Sequence, residues 1–365
     1  MLPKGAKIAA VTRSLLLTMI LSACAYDASF EDCAVRCTTD MECPAGLTCE
    51  DEGFCRTPSA TEATEACTAV LETFPSCVGL AETCGPNADE DCCSTATPIP
   101  GGSFYRSYDV ASDGMYPSMS YPATVSPFVL DRFEVTVGRF RKFVEAGMGT
   151  RTSPPGAGAG AHIKIPGSGW DSSWNINLVV NADALVAAVK CEGKQTWTGA
   201  PEANEELPIN CVTWYEAFAF CAWDGGFLPT EAEWNFAAAG GAEQRVYPWS
   251  NPANTMPIDC SYADYLDCVK PPRDLPIRVG SESPKGDGRW VQADLAGSLW
   301  EWSFDEYRPY TNPCDDCANL SASAYRVFRG GSSYNEPVAL RGANRNSVEP
   351  ARSIHTIGLR CARLP

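Results

Sequence analysis

Cysteines are the residues of this sequence whose number and spacing could most readily support chemistry. The chain has 19 cysteines, a number typical of oxidising compartments, where thiols pair as disulfides. Cys314 and Cys317 have the Cys-x-x-Cys spacing of thiol–disulfide oxidoreductases. The two residues between them, Asp315 and Asp316, disfavour a thiolate by charge repulsion. We therefore expect a local structural disulfide at this position rather than a redox centre.

Other reactive motifs are scarce. The only two histidines, His162 and His355, exclude a three-histidine metal site, and a histidine such as His355 without an identifiable partner favours a structural role. The sequence contains no nucleophile elbow, P-loop or His-Glu-x-x-His motif. Acidic residues outnumber basic ones by 45 to 28, which gives a formal net charge of −17. This charge leaves oxygen ligands for hard cations and argues against nucleic acid as a partner.

The cysteines fall into two groups, which indicate two kinds of domain. Ten lie between residues 33 and 93, and eight are spread over residues 191–361. Residues 24–96 are poor in large aliphatic side chains, so disulfides must replace a hydrophobic core, and we predict a disulfide-stapled stalk. Five cysteines lie in residues 33–55 and five in 67–93. If all ten pair among themselves, at least one bridge joins the two halves, and the remaining connectivity stays open.

Residues 1–23 resemble the signal peptide of a bacterial lipoprotein. Basic residues precede a short apolar run at 15–21, which is too short to span a bilayer. The run ends in Leu-Ser-Ala-Cys, which is similar to a lipobox, with the small residue Ala23 before Cys24. An ordinary cleaved signal is the alternative. Lipidation of Cys24 would anchor the protein in the cell envelope, on the extracytoplasmic side of the inner or outer membrane.

The remaining part of the chain, residues 97–365, has the composition of one large domain. Apolar residues recur at helical spacing over 137–144, and two capping boxes at 213–216 and 230–233 predict the first turns of two further helices. The rest is dense in glycine and proline, which predicts short strands and much irregular backbone.

Seven short motifs in this domain carry a family resemblance. They are EVT at 134–136, LPINCVTW at 207–214, GFLPTEAEW at 226–234, YPW at 247–249, LAGSLWEW at 295–302, RGGS at 329–332 and IGLRCA at 357–362. Together they resemble the formylglycine-generating enzyme (sulfatase-modifying factor) family. The resemblance implies a mixed α/β, irregular fold related to C-type lectins. It also implies oxidation of a sulfatase cysteine to formylglycine by dioxygen and copper(I) held by two cysteines.

The copper site that the resemblance implies lacks its ligands in this sequence. The two cysteines should follow the Gly-Gly-Ser motif, five residues apart, where this chain has Asn335 and Leu340. An amide and an alkyl group do not ligate copper(I), which prefers soft thiolates. We therefore assign no catalytic residue and do not expect copper as a cofactor.

Two structural features of the family do have matching residues. The resemblance implies a calcium site formed by the side chains of Asp294 and Glu301 and the backbone carbonyls of Gly297 and Leu299. These are hard oxygen ligands of the type that calcium prefers. A capped turn and a solvated strand residue are the alternative roles of the two acids. The resemblance also pairs Cys221 with Cys361 in a structural disulfide.

Three further residues, Trp300, Ser332 and Arg345, align with residues that line the groove of the family, and core packing is their alternative role.

The leading hypothesis is a lipid-anchored extracytoplasmic protein whose domain is a binding or structural module. Its partner would be a peptide or glycan of the envelope or the extracellular space. The alternatives are a divergent formylglycine-generating oxidase and a purely structural envelope component.

Overall fold

A computed structural model describes residues 74–268 and 275–365, together with the backbone of strands β1 (Thr48–Cys49) and β2 (Cys55–Arg56). The chain divides into two compact units, Met1–Thr61 and Glu62–Pro365. In the first unit β1 and β2 pair in antiparallel fashion. The predicted signal peptide and Cys24 lie outside the described residues. Within the part of the chain that is described, no helix is long and apolar enough to cross a membrane.

The second unit is a mixed α/β structure with short elements. Its helices are α1 (Val137–Glu145), α2 (Ala182–Ala188), α3 (Trp214–Trp223) and α4 (Glu231–Ala238). Its strands are β3 (Gly102–Tyr105), β4 (Pro122–Val125), β5 (Val129–Leu130), β6 (Trp300–Glu306), β7 (Arg326–Arg329), β8 (Asn346–Val348), β9 (Ile357–Gly358) and β10 (Ala362–Arg363). The mixed, irregular architecture expected from the sequence is confirmed.

The largest sheet has four strands in the order β8-β7-β6-β9. Strands β6, β7 and β8 are antiparallel neighbours, whereas β9 lies parallel to β6. Strand β10 pairs with β5, so the end of the chain closes onto the beginning of the domain. This topology brings the 295–302 segment, the 329–332 segment and the C-terminal motif to adjacent positions.

The three predicted helices are confirmed as α1, α3 and α4, with their start signals. Both capping boxes form: Thr213 with Glu216 begins α3, and Thr230 with Glu233 begins α4. In each box the threonine hydroxyl accepts from the third backbone N–H, and the glutamate accepts from the threonine N–H. These contacts satisfy backbone N–H groups of the first turn that have no partner within the helix. The start of each helix can therefore be predicted from the local sequence alone.

The main hydrophobic core lies between helices α1 and α3 and the four-stranded sheet. Its members include Phe140 of α1, Trp214 and Phe220 of α3, and Trp302 of β6, each with 0% exposure. A disulfide joins Cys221 of α3 to Cys361, between β9 and β10, and closes a loop with a sequence separation of 140. A bridge across so long a loop restricts the unfolded chain and contributes several kcal/mol, on the order of 4 in the chain-entropy account.

The end of the cysteine-rich segment packs against the large domain. Disulfides join Cys77 to Cys93 and Cys84 to Cys92. Cys84 and Cys92 share a small apolar cluster with Phe133, Val279 and Ala293. Residues 74–96, assigned to the stalk on composition, therefore contact the domain core. These two pairs use four of the five cysteines in residues 67–93. The bridge expected between the two halves of the segment would therefore have to involve the fifth, at position 67, which lies outside the described residues.

A buried ion network holds this junction together. It consists of Asp131, Arg139, Asp224 and Arg363, whose side chains are at most 6% exposed. Arg139 contacts the carboxylates of Asp131 and Asp224 at 3.1 and 2.6 Å, and Arg363 contacts them at 2.7 and 2.8 Å. Ser76 joins the network by donating its N–H to Asp224 at 3.0 Å. Two cations and two anions neutralise each other here, which a buried charge requires.

Candidate functional site

The turn that follows strand β7 contains Asn335, the first of the two positions at which the family resemblance implies a copper-binding cysteine. Gly330 and Gly331 have φ values of 105° and 78°, a conformation that favours glycine. The side-chain oxygen of Asn335 then accepts hydrogen bonds from the N–H of Ser332 at 3.0 Å and from its hydroxyl at 2.8 Å. The Asn335 N–H donates back to the Ser332 carbonyl at 2.9 Å. The amide of Asn335 thus closes the turn as a structural element.

The second position, Leu340, is part of the core. Its side chain has 0% exposure and packs in a cluster with Val246, Tyr247 and Trp249. A Cβ atom on Gly331 would lie 2.7 Å from the Leu340 side chain, so the leucine fills the space beside the glycine. Asn335 and Leu340 therefore occupy their positions as a hydrogen-bonded amide and a buried aliphatic group. Neither residue fits copper(I).

The cysteines elsewhere in the described part of the domain cannot substitute for the missing copper ligands, because they form disulfides. The twelve cysteines of residues 74–268 and 275–365 all form disulfides: Cys77–Cys93, Cys84–Cys92, Cys191–Cys211, Cys221–Cys361, Cys260–Cys268 and Cys314–Cys317. A disulfide sulfur has no thiolate to offer a soft metal. The local bridge expected between Cys314 and Cys317 is confirmed.

The three predicted groove residues have different surroundings. Ser332 is 1% exposed and belongs to the Asn335 turn. Trp300 is 5% exposed, begins strand β6 and packs edge-to-face on Phe328 with a ring distance of 5.0 Å. Arg345 keeps 17% of its side chain exposed, so of the three it retains the most surface. Burial of the other two favours a packing role for them.

Arg345 belongs to a charged cluster, here called the Glu231 cluster, formed by Glu231, Arg329, Arg345, Tyr310 and Asp305. Glu231 contacts Arg329 at 2.7 Å and Arg345 at 2.7 Å, and the Tyr310 hydroxyl donates to it at 3.1 Å. Asp305 accepts the N–H of Glu231 at 2.7 Å, so it also caps helix α4. The cluster joins α4, β6, β7 and the segment before β8.

The pKa values of the two acids of this cluster are shifted in opposite directions. Burial alone would raise the pKa of Glu231, but Arg329 and Arg345 reverse the effect, and its pKa lies below the usual value. Burial raises the pKa of Asp305 to about 7, and the neighbouring charge of Glu231 adds to the increase. Two backbone N–H donors, from Glu231 and Asn319, oppose it. Asp305 is therefore the group of this cluster that titrates near neutral pH.

His355 has partners that the sequence did not reveal. Its Nδ1 contacts the carboxylate of Glu192, and its ring meets the ring of Tyr334 edge-on at 5.1 Å. The Lys194 ammonium lies 4.8 Å from the Tyr334 ring centre. Because Tyr334 directly precedes Asn335, this surface cluster, here called the Tyr334 cluster, borders the turn that holds the first copper position. A polar and aromatic surface of this kind suits recognition of a ligand.

Two cavities lie elsewhere on the domain. One, of about 400 Å³, lies between residues 79–83, helix α1 and residues 201–206. The other, of about 160 Å³, is apolar and lies beside Phe143 and Trp223. Neither is lined by Ser332, Asn335 or Arg345.

Three of the predicted calcium ligands lie in the turn before strand β6, and the fourth, Glu301, lies in that strand. Asp294, Gly297 and Ser298 all have positive φ values, and Asp294 accepts the N–H of Gly280 at 2.6 Å. The Glu301 carboxylate accepts from Arg360 at 2.8 Å and from the indole N–H of Trp234 at 2.7 Å. A calcium ion here would share Glu301 with Arg360.

The charge of this region suits a cation. Three buried carboxylates, those of Glu134, Asp294 and Glu301, act on one guanidinium, that of Arg360. Burial and the charges of the other two acids raise the pKa of Glu134 well above its usual value, and burial raises that of Asp294 to about 6. Within residues 74–268 and 275–365, however, no three His, Cys, Asp or Glu side chains form a group that could hold a metal ion. Backbone carbonyls would have to complete the set.

Calcium should raise the melting temperature of the protein, and Asp294→Asn should abolish that rise, because the ion loses a charged ligand. Asp294 is the better residue to change, since Glu301 also pairs with Arg360 and its loss would destabilise the fold by itself. Asp183→Asn, at an exposed position in α2, serves as the control. A parent protein whose melting temperature is the same with calcium and with chelator would refute the site.

Several residues of these sites were missed at the sequence level. In the sequence Glu231 lies inside the second capping-box motif, which assigns no partner to its side chain, whereas in the structure that side chain joins Arg329, 98 residues away, and Arg345, 114 residues away. Glu134 and Arg360 lie in two of the family motifs, which by themselves predict no role for either residue. The signal that could have identified them is the presence of a charged residue inside an otherwise apolar segment, which requires a buried partner.

Comparison with known proteins matches these features to one family. Residues 81–365 match the family described as sulfatase-modifying factor enzyme 1-like domain. The formylglycine-generating enzyme of Streptomyces coelicolor is 31% identical over 290 residues, covering 72% of this chain and 87% of that protein. The inactive C-alpha-formylglycine-generating enzyme 2 of Mus musculus is 29% identical over 289 residues, covering 72% and 84%. Hercynine oxygenase of Mycolicibacterium smegmatis is 28% identical and covers 73% and 61%.

The fold agrees with these sequence relationships. The structure of PvdO from Pseudomonas aeruginosa superposes with a TM-score of 0.52 at 19% identity, covering 76% of this chain and 100% of that one. The chain belongs to the sulfatase-modifying factor family, and its second unit has the formylglycine-generating-enzyme fold. The resemblance inferred from the seven motifs is confirmed. The family includes both enzymes and a protein named as inactive.

Proposed function

We propose that this chain is a lipid-anchored, extracytoplasmic protein whose sulfatase-modifying factor domain serves as a binding or structural module, not as a copper oxidase. The observation that carries the proposal is the state of the two copper positions. Asn335 is hydrogen-bonded to Ser332, and Leu340 is buried. Copper(I) requires thiolates at both places, and neither side chain supplies one.

The surroundings of these positions support the same conclusion. The cysteines of the described ranges 74–268 and 275–365 are all in disulfides, so a substitute thiolate would require reduction first. The similarity to the protein named inactive C-alpha-formylglycine-generating enzyme 2 supports the proposal, because the name of that relative describes it as inactive. The comparable similarity to the Streptomyces enzyme supports the alternative, a divergent oxidase, and this is why activity must be measured directly.

A binding role needs an accessible surface, and the Tyr334 cluster provides one beside Asn335, the first of the two positions that the family resemblance assigns to copper ligands. It combines an aromatic ring, an imidazole, a carboxylate and an ammonium group, each of which contacts at least one other member of the cluster. Rings of this kind stack on sugars and on peptide side chains, and the charged groups fix orientation. We therefore propose this cluster as the surface that would bind a peptide or glycan of the envelope or extracellular space.

An array of extracytoplasmic peptides and glycans tests this placement with the purified full chain. A ligand that binds should lose at least about tenfold in affinity on Tyr334→Ala, because truncating an aromatic contact at the centre of an interface costs more than about 1.4 kcal/mol. Tyr325→Ala is the matched control, since Tyr325 is 43% exposed and lies outside the cluster. Absence of any ligand would favour the structural envelope role, and equal losses in both variants would contradict the placement.

The lipid anchor has its own test. Cys24→Ser should release the protein from the membrane fraction of the cells that express it, because two or three acyl chains contribute about 0.8 kcal/mol per buried methylene group and serine accepts none of them. Fractionation followed by intact-mass measurement separates lipidated from unmodified protein, and Cys67→Ser provides a cysteine control outside the signal. A Cys24→Ser protein that remains in the membrane fraction would contradict lipidation at this residue.

A further inference from the structure

The disulfide between Cys314 and Cys317 lies in the segment that connects strands β6 and β7. Cys314 is 5% exposed, and Cys317 is half-buried. The sequence alone argued against redox chemistry here because two aspartates separate the sulfurs. The structure gives the surroundings of each sulfur, and these change the electrostatic argument.

The sulfur of Cys317 accepts two hydrogen bonds, one of them from a cation. Arg106 Nη1 donates to Cys317 Sγ at 3.5 Å, and the Thr311 hydroxyl donates to the same sulfur at 3.5 Å. Asp316, the nearer aspartate, has its carboxylate bound to Ser126, whose N–H and hydroxyl donate at 2.5 and 2.6 Å. Its charge is thus already stabilised by other donors, while the guanidinium faces the sulfur.

Arg106 is a buried cation without a carboxylate partner. Its side chain is 3% exposed, and among the described residues it forms no ion pair within 4 Å. Nη2 donates to the Thr311 carbonyl at 2.6 Å, the guanidinium lies 4.5 Å from the Tyr310 ring centre, and Nε has no hydrogen-bond partner in the described ranges. Glu231, Asp305 and Arg329 act on it only at longer range. A buried guanidinium in this state would be stabilised by an anion at Cys317.

We propose that Cys314–Cys317 is an exchangeable disulfide, with Cys317 as the reacting sulfur, Cys314 as the resolving sulfur and Arg106 as a positioning residue that stabilises the Cys317 thiolate. This arrangement pairs a more accessible, cation-stabilised sulfur with a buried one across two intervening residues. It is the division of roles that a dithiol exchange site requires. The inference is independent of the ligand-binding role proposed above, since it uses none of the residues of the Tyr334 cluster.

The reaction needs an external dithiol as the reductant. One thiolate of the dithiol attacks Cys317 Sγ, the Cys314–Cys317 bond breaks, and Cys314 takes the electron pair and a proton. The second thiolate of the dithiol then attacks its own mixed disulfide and releases Cys317 as a thiolate beside Arg106. In total, two electrons pass to the protein, the external dithiol becomes a disulfide, and the second proton goes to solvent. The reverse sequence oxidises the site by an external disulfide.

The disulfide Cys260–Cys268 is an internal control. Cys260 is exposed and Cys268 is half-buried, so this bridge is at least as accessible, but its sulfur at Cys268 lies against the Ala263 carbonyl and not against a cation. If exposure alone governed reduction, Cys260–Cys268 would open at least as readily as Cys314–Cys317. If the contact with Arg106 governs reduction, Cys314–Cys317 opens more readily than Cys260–Cys268.

The experiment equilibrates the full chain in buffers of reduced and oxidised dithiothreitol at neutral pH and traps thiols by alkylation for peptide mass spectrometry. We expect Cys314–Cys317 to open at a ratio of reduced to oxidised dithiothreitol at least about tenfold lower than Cys260–Cys268, because a stabilised thiolate favours the reduced form. We also expect the alkylation rate of Cys317 to reach half its maximum at least about one pH unit below that of Cys268.

Arg106→Gln tests the role of the cation. It should move the pH midpoint of Cys317 alkylation up towards the value of an ordinary thiol, about 8.5, whereas Arg308→Gln, at an exposed arginine of the same region, should leave it unchanged. If Arg106→Gln does not fold, the comparison of Cys317 with Cys268 in the parent protein decides alone. A Cys314–Cys317 bridge that stays closed where Cys260–Cys268 opens, or equal midpoints for Cys317 and Cys268, overturns the proposal.

Discussion

Replacing Asp224 with alanine is expected to lower the free energy of unfolding by about 3–5 kcal/mol, the range for breaking a buried ion pair by removing one partner. Asp224 has 0% exposure and accepts from Arg139, Arg363 and the N–H of Ser76. Without it, two buried guanidinium groups share the single carboxylate of Asp131. The uncompensated charge, not the lost contact alone, produces the large effect.

Denaturant titration at neutral pH measures this loss as a shift of the unfolding midpoint. Glu243→Ala is the matched control, because Glu243 also contacts two arginines, Arg245 and Arg289, but its side chain is 39% exposed. Solvent screens that pair, and the control should lose less than about 1 kcal/mol. If Asp224→Ala and Glu243→Ala shifted the midpoint equally, the buried network would have no special part in the stability of the domain.

The second large effect concerns pH. Burial raises the folded-state pKa of Asp305 to about 7, whereas in the unfolded chain an aspartate titrates near its usual value of about 3.9. Between these pH values the folded protein holds a proton that the unfolded chain has lost. The stabilisation that Asp305 gives to the folded state is therefore fully present below about pH 4 and is lost as the pH rises through about 7. The resulting decrease in the free energy of unfolding is roughly 4 kcal/mol at most.

Asp305→Asn should remove this dependence, because the amide is neutral at every pH and can still accept one backbone N–H. The free energy of unfolding of the parent protein, measured at pH 4.5 and pH 8, should fall more steeply than that of Asp305→Asn. The exposed variant Asp183→Asn should keep the slope of the parent. The assignment fails if Asp305→Asn and the parent protein have the same slope over this range.

What the sequence predicted correctly depends on local chemistry or on motifs. The capping boxes at Thr213 and Thr230 form because a hydroxyl and a carboxylate three residues apart satisfy orphan amides without help from distant segments. The pairing of Cys221 with Cys361 was implied by the family resemblance and not by spacing, because two cysteines separated by 140 residues have no local signature.

What the sequence did not predict depends on contacts between side chains that lie far apart in the chain. Arg106 lies 211 residues from Cys317, and Glu192 lies 163 residues from His355. Such pairs are set by the approach of loops on the folded domain, which neither periodicity nor composition specifies. The neighbours of Cys317 in sequence include two aspartates, Asp315 and Asp316, whereas its neighbour in space is the Arg106 guanidinium, which the sequence alone does not reveal.

We propose that this member of the family lacks the copper-dependent oxidase reaction because Asn335 and Leu340 stand where the two thiolates would be. The most direct measurement incubates the oxidised protein with copper(I), air and cysteine-containing peptides, and captures any aldehyde with a hydrazide probe. The Streptomyces coelicolor relative serves as the positive control, and Cys314→Ser/Cys317→Ser excludes copper held by an opened bridge. We expect no aldehyde above the enzyme-free level; copper-dependent aldehyde formation by the parent protein would contradict the account.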